Sequence, residues 1–178
     1  MHSSYSHKSL FLFLVLSVPL SSISLSQDAQ RDSLITAARE IMTQQNYCGL
    51  ITLDSAGLPN ARTMNPFPPD NDMIVWMATN SRSRKAADIR RNPHVSLYYS
   101  NHTNATGYVT IKGKAYLVDD PKEIQKRYRA YWDQAFPDKK YLLLIKIVPD
   151  KLEVVNYKHK TQSDSLTWKA PEVEFHTH

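Results

Sequence analysis

Within residues 28–45 the apolar side chains Leu34, Ile35, Ala38, Ile41 and Met42 recur at helical spacing, with Asp28 and Asp32 placed early where the helix dipole favours acids, and this predicts one amphipathic helix. Beyond it the chain turns β-prone. Residues 47–54, 61–67 and 73–79 read as strands, the first two joined by the turn residues Ser55-Ala56-Gly57-Leu58-Pro59-Asn60. Residues 81–91 form a short predicted helix closed by Asn92-Pro93, because the residue before a proline is pushed out of the helical region. A fourth strand is expected over 94–99 and a long one over 108–118, in which Gly113 marks a bulge and after which Asp119-Asp120-Pro121 stops the run. Pro121 suits the first turn of a helix reaching about residue 135, and two last strands, 141–147 and 152–157, flank Pro149-Asp150. After Lys158 the pattern fades into a tail, 158–178.

The order gives about six strands with three helices between or before them, joined in the way that favours an antiparallel barrel over a parallel βαβ sheet. The expected class is mainly β with flanking helices. Neither G-x-G-x-x-G nor G-x-x-x-x-G-K-[ST] can be made from the 4 scattered glycines, so the parallel nucleotide-binding folds fit poorly. A chain of 178 residues with 42% hydrophobic and 22% charged residues is one ordinary domain, not a disordered segment. The single Cys48 excludes an intramolecular disulfide framework and any multi-thiolate metal site, and is expected to be buried and inert.

Residues 1–26 have a different grammar: a short start with Lys8, the apolar run Leu10-Phe11-Leu12-Phe13-Leu14-Val15-Leu16, then Pro19 and the small residues from Ser21 to Ser26. They read as a signal peptide cleaved after Ser26, because the run is short of the roughly 20 residues that span a bilayer. The expectation is a secreted or periplasmic protein with a folded domain over 27–157 and no stable membrane anchor after cleavage.

The densest chemical signal is Thr79-Asn80-Ser81-Arg82-Ser83-Arg84-Lys85. Hydroxyls of Thr79, Ser81 and Ser83 lead into a helix whose first-turn N–H groups carry partial positive charge, and Arg84 and Lys85 add full charges, a donor set suited to a phosphate. The competing reading is a solvated basic helix merely capped by Ser81 or Ser83. Arg62, in a predicted strand, is either an outward solvent residue or an anion ligand.

The order G-x-P-x-x-R-x-M, then T-N-x-x-S-R-K-x-x-x-I-x-x-N-P-x-V-S-L, then G-K-A resembles the pyridoxamine 5′-phosphate oxidase-like FMN-binding split barrels. Here these are Gly57, Pro59, Arg62 and Met64, then Thr79, Asn80, Ser83, Arg84, Lys85, Ile89, Asn92, Pro93, Val95, Ser96 and Leu97, then Gly113, Lys114 and Ala115. The aromatic helix before a Leu-rich strand is most similar to the small general-stress-protein branch. The resemblance implies a six-stranded antiparallel split β-barrel and a homodimer with FMN in clefts between subunits. It also implies that Arg62, Ser83, Arg84 and Lys85 hold the phosphate, and that the backbone at Thr63 and Met64 and at Met77, Ala78 and Thr79 lines the flavin ring. Tyr108 stands where the vitamin-forming oxidases have a flavin-contacting glutamine. Their arginine-rich C-terminus is missing, so the implied activity is a flavin-dependent oxidoreductase with an unknown small-molecule electron donor or acceptor, not a pyridoxamine 5′-phosphate oxidase.

Rival readings are a flavin or haem carrier without turnover, with His94 as haem ligand, and nucleic-acid binding through Arg82, Arg84, Lys85, Arg90 and Arg91. The last lacks an aromatic stacking face beside the cluster, and no nucleic-acid partner is expected. The seven histidines form no triad, and the terminal His176 and His178 read as a frayed end. Tyr128, Tyr131, Trp132 and Phe136 read as packing.

Overall fold

The computed structural model describes residues 20–175, with side chains from residue 27 onward. Helix α1 (Leu20–Gln44) is followed by β1 (Cys48–Leu53), β2 (Pro59–Met64), β3 (Val75–Asn80), α2 (Arg84–Arg91), β4 (His94–Ser100) and β5 (Gly107–Val118). Two short helices, α3 (Pro121–Lys126) and α4 (Trp132–Ala135), precede β6 (Leu142–Asn156) and the short β7 (Glu172–Glu174). Every strand pairing is antiparallel, in the order β2-β1-β4-β5-β6-β3, with β7 also on β6. The result is a curled six-stranded half-barrel with a few helices, the expected mainly-β class.

Alternation along the strands sorts the side chains. Leu50, Leu97, Ile111, Ile145 and Ile147 face the concave side, where Ala37, Ala38, Ile41 and Met42 of α1 fill the core against them. Trp76, Leu142 and Leu144 face outward and are covered by the α3–α4 segment, whose buried Trp132 meets Phe67, Tyr128, Tyr131 and Phe136 edge to face. The expected aromatic packing is therefore present. Cys48 is 4% exposed, and burial pushes its thiol up to about 12, so it is inert as expected.

Four expectations are corrected. The helix expected from residue 28 already runs from Leu20, through the expected cleavage point; residues 1–19 of the expected leader lie outside the described residues, as do His176 and His178. The single helix expected over 121–135 is broken at Arg127, whose guanidinium stacks 3.7 Å from the Trp76 ring, while Trp132 turns inward. The two strands expected around Pro149-Asp150 are one 15-residue strand, because the register jumps from Lys112↔Lys151 to Gly113↔Pro149 and leaves Asp150 as the extra residue of a bulge. The presumed patternless tail returns to pair β7 with β6 at Lys151–Glu153, where Val173 is buried and Lys151 meets Glu172 and Glu174. Three alternating residues were too few to show a period.

The bulge expected at Gly113 is where the glycine is needed. A Cβ there would lie 2.2 Å from the Val148 carbonyl oxygen. Gly113→Ala is expected to lower stability by about 1–3 kcal/mol, the scale of overpacking, in chemical unfolding; unchanged stability would show that the bulge tolerates a side chain.

Candidate functional site

The two outer strands of the curled sheet, β2 and β3, meet at one bridge, Pro66↔Met77, supported by the Phe67 N–H donating to the Trp76 carbonyl at 2.7 Å. From that point β2 runs back through Met64, Thr63 and Arg62 while β3 runs forward through Ala78 and Thr79. Among the described residues no backbone hydrogen bond joins these two stretches. The split between them is thus edged by the very residues that the sequence singles out, and α2 follows β3 directly at its mouth.

On this concave side the side chains of Arg62, Met64, Met77 and Thr79 follow the inward alternation, whereas Thr63 and Ala78 face outward. Met64 and Met77 are core residues, leaving only their backbone for a ligand. Ser83 is the N-cap of α2, accepting from the Ala86 N–H at 3.3 Å, and its Oγ lies 3.2 Å from the buried Thr79 Oγ1. Ser83 therefore caps α2 and still leaves donors at the first turn: the N–H groups of Arg84 and Lys85 have no protein acceptor among the described residues.

The cations are distributed unequally. Arg84 is exposed. Lys85 is half-buried with no carboxylate in ion-pair range among the described residues, and its ammonium is pushed below the ordinary value by burial first and by the Arg62 charge second. Arg62, its side chain 20% exposed, donates from Nη1 to Thr52 Oγ1 at 2.6 Å and from Nη2 to Asp88 Oδ2 at 3.4 Å. Sequence reasoning missed both partners. The available signal was Asp88, three residues before Arg91 and next to Ile89 on a helix too short to leave its buried stripe: a carboxylate there needs a cation.

Tyr108 is not brought to the others. It faces the outer side of β5, which two strands separate from β2 and one from β3, and its ring lies 6.0 Å from that of Tyr98. Within this chain it lies apart from Arg62 in the strand order. His94 is exposed on the same outer side, lining a cavity of about 270 Å³ with Ser96, Lys112 and Asp150. Among the described residues no group of three or more His, Cys, Asp or Glu is arranged for a metal ion.

The pyridoxamine 5′-phosphate oxidase family model matches residues 34–156, from α1 to the end of β6 and so across the whole split. The chain belongs to the pyridoxamine 5′-phosphate oxidase family. Within the pyridoxamine 5′-phosphate oxidase-like fold it is similar to General Stress Protein 26 from Bacillus anthracis str. Sterne, at 23% identity over 71% of this chain and 93% of that one, with a TM-score of 0.58. It is also similar to an F420 reductase, at 18% identity over 64% and 94% of the two chains with a TM-score of 0.53. A heme binding protein from Mycobacterium smegmatis shares 16% identity over 67% of this chain and 52% of that one, with a TM-score of 0.55. At these identities the likeness is one of fold. No curated protein matches this sequence.

Lys85 gives the site a measurable signature. Its pKa is depressed in the folded state, so holding it charged costs stability at neutral pH, and the cost disappears as pH rises through the lowered pKa towards 10.5. Lys85→Met is therefore expected to stabilise the ligand-free protein at pH 7, by a few tenths to about 1 kcal/mol after solvent screening, with the gain shrinking at alkaline pH. Thermal melts across pH check this; destabilisation by Lys85→Met would contradict an uncompensated charge.

Proposed function

We propose that this protein binds FMN through its phosphate at the mouth of the split and works as a flavin-dependent oxidoreductase on an unidentified small-molecule donor or acceptor. The observation that carries the reading is Lys85, half-buried with no carboxylate partner among the described residues, beside the Asp88-paired Arg62 at the start of α2, where two backbone N–H groups have no protein acceptor among the described residues. The donor set fits the group. Arg62, Arg84, Lys85, Ser83 and the first N–H groups of α2 would hold the phosphate, and the main chain at Thr63, Met64, Met77, Ala78 and Thr79 would border the ring. FMN, when bound, supplies the electron transfer; the chain's part is to bind it, orient it and limit water at its edge. No titratable side chain from β2 or β3 beyond Arg62 faces the split, consistent with binding and tuning by backbone donors.

The molecule is further proposed to be exported, on the leader-like pattern of residues 1–26, and to act as a homodimer in which a second copy brings Tyr108 towards the flavin. The second reading is a flavin or haem carrier without turnover. It is favoured by His94 being exposed beside the outer-face cavity and by the haem-binding relative of the same fold.

Arg62→Ala and Lys85→Ala are each expected to weaken FMN binding by about 1.5–3 kcal/mol, the scale of a hydrogen bond to a charged group, in calorimetric titration. Unchanged affinity in both variants would remove the site. Pyridoxamine 5′-phosphate is expected not to be oxidised under saturating FMN, because Lys169 is held by Glu172 and the sequence from Leu166 to His176 offers no basic pair for a substrate phosphate. Oxygen consumption at the rate of a vitamin-forming oxidase would overturn this.

A further inference from the structure

Thr52 and Asp88 belong to neither the recognised motif nor the core, yet both are buried, at 0% and 6% exposure. Thr52 stands on the concave face of β1 opposite Asn60, diagonal to Arg62, which is opposite Leu50. Its hydroxyl has one proton. That proton goes to Asp88 Oδ2 at 2.7 Å, which turns a hydroxyl lone pair towards Arg62 Nη1 at 2.6 Å. The same Oδ2 also takes the longer 3.4 Å contact from Arg62 Nη2, while Oδ1 faces the half-exposed Arg91 at 3.8 Å. Two N–H groups of the guanidinium are thereby engaged on the protein side, and three of its five have no protein acceptor among the described residues.

From this relay we infer that Thr52 and Asp88 are positioning residues that hold the Arg62 guanidinium ready for a phosphate monoester, and so set the preference of the site for phosphorylated over unphosphorylated flavin. The inference rests on the reading of this split as a flavin site. A long arginine side chain at a strand edge otherwise samples many rotamers, and fixing one before the ligand arrives removes an ordering cost from binding. A carboxylate alone would do this poorly. It would draw the guanidinium onto itself face to face, whereas here the shortest contact is to a neutral hydroxyl and the carboxylate stands one step behind it, orienting the hydroxyl. The Arg62 N–H groups without a protein acceptor are left for an incoming anion. Lys85, one turn before Asp88 on α2, has no such restraint among the described residues and contributes charge without a fixed direction.

The test is the ratio of riboflavin to FMN dissociation constants, measured by fluorescence titration on the full chain for the wild type, Thr52→Val, Thr52→Ser and Asp88→Asn. A ratio is used because loosened packing weakens both ligands together, whereas a misplaced Arg62 weakens only the one with a phosphate. Thr52→Val, which keeps the shape and every charge, is expected to lower the ratio about tenfold, Thr52→Ser to restore it, and Asp88→Asn to lower it. If the valine variant does not fold, the isosteric Asp88→Asn carries the same expectation. A wild-type preference for FMN that survives unchanged in Thr52→Val and Asp88→Asn overturns the positioning role and leaves the phosphate site standing. A wild type that binds both flavins equally overturns the phosphate site, and the positioning role with it.

Discussion

The fold turns on the bulge between β5 and β6. These are the two longest strands, of 12 and 15 residues, and a flat pair of that length would carry β3 away from β2. One extra residue, Asp150, opposite the Lys112–Gly113 step bends and twists the pair, and a proline that could not donate to a regular ladder sits where no donor is needed. The curl then brings the first and last strands of the sheet together, but only at Pro66↔Met77. β6 is long enough to pair with β3 over Leu142–Ile147 and with β7 over Lys151–Glu153, so its exposed second half is covered, as edge strands need.

Incomplete closure is what leaves backbone groups of β2 and β3 available, and α2 adds charge where they diverge. The energetic logic is asymmetric. Burying Asp88 without partners would cost several kcal/mol, so Thr52 and Arg62 are held to it whether or not a ligand is present. Lys85 has no carboxylate partner among the described residues, and burial lowers its pKa, which disfavours the charged form where it stands. An anionic ligand reverses that preference.

Much of this was legible in the sequence. β1 to β5 and α2 fall within a few residues of the hydrophobic pattern, because alternation over six or more residues on a one-sided sheet is a strong signal. Gly113 announced its bulge. Pro149 misled, since a proline normally ends a strand and only the partner's bulge explains why this one does not. The break at Arg127 depends on a stack with Trp76, a contact 51 positions away that no local pattern encodes. In the site, Ser83-Arg84-Lys85 and Arg62 were visible as charges in a recognisable order, and the bare edges of the split were not, because they follow from strand pairing. Thr52 and Asp88 went unseen for the same reason: each is unremarkable in its own segment and acquires meaning only when β1, β2 and α2 converge. Tyr108 was placed by alignment alone, and strand order sets it apart from Arg62 within the chain.

The most direct measurement is the visible absorption spectrum of the purified protein after incubation with FMN, with haemin or with neither, followed by desalting. Retention of a flavin spectrum, with no haem band after the haemin incubation, is the expected result. A retained haem band without flavin, or a colourless protein after both incubations, would contradict a flavin phosphate site at the start of α2.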